Sequence, residues 1–292
     1  MNAFSLWWIR SLMRLQARLP LGWQPALGRL WAVILWLAGG RRKRIATRNL
    51  ELCFPDLAEA ERKQLLRAHF HALGMSMVEL PLAWFGDHQR LRPLARIHGL
   101  EHVQHLQQQG QGVLLVAAHF TCLEMAGCLL GQYLDYDGMY RSHKHARFDA
   151  LQKQARLRFT GTMYPRDRVR QVIRALKQGR TIWYAPDQDY GRNNSVFVPF
   201  FGVPACTLTA THKLARLSGA RVVLMETIRN DRPWGYDIRL SEPLEHFPGE
   251  DELADTARIS EHIEAMVRKA PAQYLWVHRR FKTRPEGEPG LY

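Results

Sequence analysis

Apolar residues recur along this chain with two different spacings, and the change between them divides the sequence near residue 91. Before that point the spacing is helical, and it predicts helices over Phe4–Leu19, Leu27–Ala38 and Ala58–Phe85. Proline and glycine residues between positions 20 and 25 separate the first two helices. The first third of the chain is therefore predicted to be helical.

Beyond residue 91, short apolar runs alternate with helical stretches. Gly112–Ala117, Thr181–Ala185 and Arg221–Ile228 are predicted as buried strands, and weaker signals predict strands over Asp137–Tyr140, Tyr236–Leu240 and Tyr274–Val277. Helices are predicted over Thr121–Gln132, Ala146–Arg158, Arg168–Lys177, Leu208–Leu217 and Asp251–Lys269. This alternation predicts an α/β fold with a mixed central sheet flanked by helices.

The same pattern predicts two parts of unequal size. Residues 1–44 form a basic and apolar segment, and residues 45–292 form the main domain. Within that domain, residues 45–90 are predicted to be helical and residues 91–292 to form the α/β core.

Charge distinguishes the first segment further. The 292-residue chain has a formal net charge of +14, yet no Asp or Glu occurs before residue 50, where nine Arg or Lys and five Trp residues stand. Arg and Trp beside apolar helices are typical of a membrane interface, where indoles lie at headgroup level and cations meet anionic lipid. Leu30–Ala38 is the most apolar run and is shorter than the roughly 20 residues of a spanning helix. We predict a monotopic or single-pass anchor; the alternative is the first core helix of a soluble domain.

A histidine stands directly after the first predicted strand, where ligands bind in open α/β sheets. A neutral imidazole at His119 can take a proton from a hydroxyl, and a carboxylate such as Glu124 can orient the ring. No G-x-S-x-G motif is present, so direct attack by an acceptor hydroxyl is favoured over a covalent acyl-enzyme. Thr121 and Glu124 also fit a capping box, and spacing alone leaves both interpretations open.

Longer stretches are more specific than this pair. GVLLVAAHFTCLEMAG, WYAPDQDYGRNNSVFVPFFGVPA and LARLSGARVV resemble the late acyltransferases of lipid A biosynthesis, the HtrB/LpxL/LpxM family. The resemblance extends from Ile45 to the C-terminus, and the basic, apolar N-terminal segment fits it as well. His119 and Glu124 match the H-x4-D/E motif of the wider glycerolipid acyltransferase superfamily.

The resemblance implies an enzyme of the cell inner membrane with its active site on the cytoplasmic face. Such an enzyme transfers a secondary acyl chain, expected to be lauroyl or myristoyl, from acyl carrier protein to a hydroxyacyl chain of a Kdo-bearing lipid A precursor. His119 would deprotonate the hydroxyl, Glu124 would orient His119, and the pantetheine thiol would leave. No cofactor or metal is implied. Both substrates are anionic, in agreement with the basic charge.

Substrate-binding residues also follow from the resemblance. Arg141 and Arg156 are expected to bind substrate; the alternative for Arg141 is a solvated surface position. Asp187 and Asp189 form a weak metal pair, and the resemblance implies acceptor binding or a structural role, with hydrogen bonds to loop N–H groups as the alternative. Pro199–Pro204 resembles a stretch that lines the family's site, and a buried hairpin is its alternative.

Two other functions fit parts of the pattern. A basic protein that binds nucleic acid or anionic lipid without catalysis would explain the charge, but no helix-turn-helix, RRM, KH or zinc motif is present, so no nucleic-acid partner is predicted. A lipid esterase would use the same histidine with water as the acceptor.

Overall fold

A seven-stranded sheet between helices forms the centre of the computed structural model, which describes residues 3–231 and 234–292. The strands of this sheet are β1 (Ala95–His98), β2 (Val113–Val116), β3 (Asp137–Tyr140), β4 (Met163–Pro165), β5 (Thr181–Tyr184), β8 (Arg221–Asp231) and β9 (Trp234–Leu240). Two further strands, β6 (Ser195–Phe200) and β7 (Val203–Leu208), pair with each other. The helices are α1 (Ala3–Arg18), α2 (Gln24–Ala38), α3 (Gly40–Cys53), α4 (Glu59–Phe85), α5 (His88–Leu91), α6 (Leu100–Gln108), α7 (Leu123–Leu130), α8 (Ala146–Arg156), α9 (Val169–Lys177), α10 (Ala210–Ser218) and α11 (Glu252–Lys269). Short 3₁₀ helices cover Leu21–Trp23, Arg92–Leu94 and Pro271–Gln273.

The sheet is mixed. Its strands lie in the order β1-β9-β8-β2-β5-β3-β4, and only the β8–β9 pair is antiparallel. All four residues of β2 and of β5 are buried, which is why both strands are continuously apolar or aromatic apart from Thr181. The predicted α/β fold with a mixed sheet and flanking helices is confirmed.

The N-terminal helices pack closely against the rest of the domain through α4. A side chain at Gly74 of α4 would place its Cβ 2.3 Å from the carbonyl oxygen of Gly28, so glycine there lets α2 and α4 approach closely. The predicted boundary at residue 44 stays a prediction, and α3 runs through that position.

One face of α1 and α2 is apolar and open to solvent. Its exposed large side chains are Phe4, Trp7, Trp8, Leu12, Leu15, Trp23, Leu30, Val33, Ile34 and Leu37. None of the helices within residues 3–231 and 234–292 has both the length and the apolar character to cross a bilayer.

Two segments differ from a simple strand-and-helix pattern. The strand predicted over Tyr274–Val277 is wrong: Tyr274 makes one isolated bridge with Phe120, and the chain then turns, with the His278 N–H donating to the Leu275 carbonyl at 3.1 Å. Around Pro199–Pro204 the chain forms the antiparallel hairpin of β6 and β7, as the alternative predicted. The sequence pattern missed β4, which has only three residues, and β1, whose sequence ARIH lacks the continuous apolar run of β2.

Candidate active site

His119 and Asp187 meet because they follow neighbouring strands. Val116 and Tyr184 are register partners at the ends of the parallel strands β2 and β5. His119 lies three residues after Val116, and Asp187 lies three residues after Tyr184. Their loops therefore leave the sheet at the same edge. The Nδ1 atom of His119 lies 2.6 Å from Oδ1 of Asp187, and the backbone N–H of His119 donates to Oδ2 at 3.0 Å.

This contact favours the ionised form of Asp187. Burial of Asp187 would raise the pKa of its carboxyl, but the positive charge of His119, the hydrogen bonds from its ring and backbone, and the hydroxyl of Tyr274 lower that pKa to about 2. An ionised Asp187 favours a proton on Nδ1 of His119, which leaves Nε2 as the nitrogen that can accept a proton. The side chain of His119 is 25% exposed and lines a pocket.

Glu124 does not orient His119, and that prediction is wrong. Its Oε2 accepts a hydrogen bond from Nε1 of Trp84 at 2.8 Å, and both its oxygens pair with the guanidinium of Arg156, with Nε at 3.3 Å. Glu124 lies in the first turn of α7 and is directed to α4 and α8, where those two partners stand. Its hydrogen bonds go to side chains, so the capping-box alternative is also not observed.

The pocket beside His119 has a volume of about 640 Å³. Apolar side chains form much of its wall: Leu123, Met139, Val169, Ile173, Trp183, Leu208, Leu214 and Leu217. Four cationic residues also line it, namely Arg141, Arg156, Arg166 and Lys213. Asp167 lines it too, and Arg156 and Lys213 pair with Glu124 and Glu252, so the pocket combines an apolar surface with two arginines that can meet negative charge.

Arg141, the predicted substrate-binding residue, lines the pocket together with Arg166, a residue that the sequence did not indicate. Each follows one of the paired strands β3 and β4, with Tyr140 opposite Pro165, so both emerge at the edge of the sheet that carries His119. Within residues 3–231 and 234–292, neither makes a salt bridge with a carboxylate. The only signal that a sequence offers for Arg166 is its place after β4, a strand too short to predict.

Asp189 lies outside the pocket. Its side chain is fully buried, where Oδ1 accepts from the Gly191 N–H at 2.8 Å and from the Thr283 hydroxyl at 2.9 Å, and Oδ2 accepts from the Thr283 N–H at 2.8 Å. The structure therefore brings Asp187 to His119 but gives Asp189 the loop-bonding arrangement of the alternative.

Residues near the C-terminus complete the histidine loop. The N–H of Leu275 donates to the carbonyl of His119 at 2.9 Å, and the N–H of Thr121 donates to the carbonyl of Gln273 at 2.7 Å. Beneath them, the buried guanidinium of Arg229 pairs with Glu79 and donates to the Thr121 hydroxyl at 3.3 Å. The sequence missed these contacts because all of them join residues far apart in the chain.

Across the described residues, no three His, Cys, Asp or Glu side chains cluster closely enough to hold a metal ion. Residues 2–283 match the family model described as bacterial lipid A biosynthesis acyltransferase. The chain belongs to this family. It is an acyltransferase.

Curated relatives match over most of their length. The chain is 40% identical to the lipid A biosynthesis palmitoleoyltransferase of Escherichia coli (strain K12), over 86% of this chain and 82% of that one. It is 41% identical to the lauroyltransferase of the same organism, over 86% and 83%. It is also 41% identical to a lipid A biosynthesis acyltransferase of Haemophilus influenzae, over 87% and 82%. A solved acyltransferase, PlsC from Thermotoga maritima, aligns with 91% of the chain and 99% of its own length at a TM-score of 0.38 and 14% identity.

Proposed function

We propose that this acyltransferase moves a secondary acyl chain, lauroyl or myristoyl, from the thioester of acyl carrier protein to a hydroxyacyl chain of a Kdo-bearing lipid A precursor. The observation that carries the proposal is the contact of 2.6 Å between His119 and the buried Asp187 at an apolar pocket lined by four cations. The apolar wall suits an acyl chain, and the cations suit phosphate groups on either substrate.

His119 acts as the general base. Its Nε2 takes the proton from the acceptor hydroxyl as that oxygen attacks the thioester carbonyl. Asp187 stabilises the resulting imidazolium through Nδ1. When the tetrahedral intermediate collapses, the carbon–sulfur bond breaks and the proton on Nε2 passes to the departing thiolate. An ester and a free carrier thiol are the products, so atoms and charges balance.

The arginines bind the negative groups. Arg141 and Arg166 share one edge of the pocket without carboxylate partners and bind a phosphate. Arg156 lines the same pocket, and the Glu124 carboxylate holds its guanidinium in position. Trp84 in turn donates a hydrogen bond to that carboxylate. Glu124 thus acts on Arg156 in this proposal, and no longer on His119.

The enzyme works at the cytoplasmic face of the inner membrane. The exposed apolar row on α1 and α2, with arginines between its members, enters the interface between headgroups and acyl chains. Anionic lipids attract the arginines of this segment, and no acidic residue in it offsets that attraction.

The test is purified His119→Ala enzyme supplied with acyl-carrier-protein thioester and the lipid A precursor, with the product identified by mass spectrometry. We expect the rate to fall by about 10³-fold or more, since a general base is lost. His105→Ala, on an exposed position of α6, is the matched control and should keep wild-type activity. Full activity of His119→Ala would contradict the proposed chemistry.

The same assay separates the alternatives. Release of free fatty acid from the thioester, with no mass added to the acceptor, would indicate an esterase. The mass added to the acceptor identifies lauroyl, myristoyl or palmitoleoyl transfer directly.

A further inference from the structure

A second pocket lies between the N-terminal helices and the histidine loop. Its volume is about 650 Å³, similar to that of the pocket beside His119. The residues that line it are Leu35, Ala38, Gly39, Arg41, Arg42, Phe70, Leu73, Ser76, Met77, Gln188, Leu275, Val277 and His278. We call it the helix pocket. Most of its wall is apolar, its uncharged polar members are Ser76, Gln188 and His278, its charged members are the two arginines, and no acidic residue lines it.

Two residues that line the helix pocket are joined directly to the pair of His119 and Asp187. Gln188 lines both pockets and directly follows Asp187, the partner of His119. Leu275 lines the helix pocket and donates its N–H to the carbonyl of His119 at 2.9 Å. The two pockets therefore share Gln188, the chain neighbour of the aspartate that contacts His119.

The residues that line the inner end, Gln188, Leu275, Val277 and His278, carry no charge at pH 7. Burial lowers the pKa of His278 to about 4, so this imidazole is neutral at pH 7. Its Nε2 accepts a hydrogen bond from the Asp189 N–H at 3.2 Å, as a neutral ring can. An acyl chain and a hydroxyl can therefore occupy this end without burying an opposing charge.

The outer end suits an anionic lipid. Arg41 and Arg42 are exposed at the start of α3, where their guanidiniums can bind phosphate oxygens. On α2, the lining residues Leu35 and Ala38 stand among the exposed Ile34 and Leu37. A lipid chain passing from a membrane along α2 would enter the pocket without leaving apolar surroundings.

We propose that the helix pocket binds an acyl chain of the acceptor lipid, with a phosphate of that lipid on Arg41 and Arg42. This inference rests on the proposed function and adds to it the side from which each substrate approaches His119. The acceptor approaches His119 from the helix pocket, and the donor's acyl chain occupies the pocket beside His119. The two hydrocarbon chains then occupy separate cavities that share Gln188, which avoids competition between the substrates for a single apolar wall.

The binding test uses variants built on His119→Ala, so that no turnover interferes. Binding of the detergent-dispersed lipid A precursor is measured by equilibrium titration, with empty micelles as the blank. Joint replacement of Arg41 and Arg42 by Ala should weaken binding about 10-fold, as loss of about 1.4 kcal/mol would. Arg44→Ala is the matched control, because Arg44 is an exposed arginine of the same helix outside the pocket wall. Its affinity should stay within about 2-fold of the parent.

The kinetic test uses a variant whose larger side chain fills the helix pocket. Ser76→Trp, on the wall of α4, should raise KM for the acceptor about 10-fold or more and leave KM for the acyl-carrier thioester unchanged. An increase in the donor's KM instead, or no change in either KM, would overturn the proposal. If Ser76→Trp does not fold, the arginine variants decide alone. A wild-type enzyme that transfers no acyl group would instead contradict the proposed function, while unchanged lipid binding by the arginine variants would contradict only the helix pocket.

Discussion

Asp187 holds His119 by two hydrogen bonds at once, one from the imidazole ring and one from the backbone N–H. The carboxylate therefore orients the ring and also fixes the loop that carries it. Because of this double contact, we expect Asp187 to matter more to the proposed chemistry than Glu124, whose bonds are to Trp84 and Arg156.

The first prediction compares these two acids. Asp187→Asn keeps the shape but cannot stabilise an imidazolium, so kcat should fall by about 10³- to 10⁴-fold, as when a catalytic triad loses its carboxylate. Glu124→Gln should cost less in kcat and should leave the pH dependence of the rate unchanged, because Glu124 does not contact the base. Steady-state rates from pH 5 to 9 test this. A larger loss in Glu124→Gln than in Asp187→Asn would contradict the geometry.

The second prediction concerns the pairing of Glu124 with Arg156. Both side chains are mostly buried, with 17% and 13% exposed, so removal of either partner leaves a charge poorly solvated. Glu124→Ala and Arg156→Ala should each destabilise the fold by about 3 kcal/mol. The double variant should be no less stable than the worse single variant. Urea unfolding of all three measures the coupling; additive losses would show that the pair does not act as a unit.

A third prediction addresses the buried pair beneath the histidine loop. Arg229→Leu leaves Glu79 uncompensated at 1% side-chain exposure and should cost about 3 to 5 kcal/mol in the free energy of unfolding. Combining it with Glu79→Leu should recover part of that loss, because the unpaired charge is then gone. Chemical denaturation measures both. The exposed pair Lys63 and Glu59 is the control, and its removal should change stability little.

The fourth prediction is a fall in stability at mildly acidic pH. Burial lowers the pKa of His69 from 6.5 to about 4, so between pH 6.5 and 4 the unfolded chain binds a proton that the folded chain does not. This contribution to stability is complete above pH 6.5 and is lost as the pH falls towards 4. His69→Gln removes its share of this titration and should reduce the pH dependence of the unfolding free energy across that window, while His278, whose pKa burial also lowers to about 4, keeps its own share. An unchanged slope would show that His69 is not the responsible group.

A fifth prediction tests the anchor. Replacing Trp7, Trp8 and Trp23 by Ser removes interfacial indoles that are 57%, 48% and 63% exposed, so folding should be little affected. Binding to vesicles with anionic lipid should weaken at least 10-fold, because interfacial aromatic area is lost. The buried Trp84 is not a suitable comparison, since it bonds Glu124; Leu253→Ser, at a 49% exposed apolar residue of α11, is the control. Unchanged vesicle binding would contradict the anchor.

Local patterns in the sequence were sufficient for much of this protein. The apolar runs predict β2, β5 and β8, and the helical spacing predicts α4 and α11, because each pattern depends on neighbours within a few residues. The position of His119 after a buried strand, the basic and tryptophan-rich N-terminus and the family motifs are also properties of the sequence itself.

The partner of His119 was decided only by the tertiary structure. Along the chain Glu124 is near and Asp187 is distant, yet β2 and β5 are neighbours in the sheet, and their register places Asp187 against the imidazole. A hydrogen bond depends on which strands lie side by side and in what register, and no local spacing records that choice. For the same reason, only the packing of α2 and α4 against the 275–278 segment revealed the helix pocket.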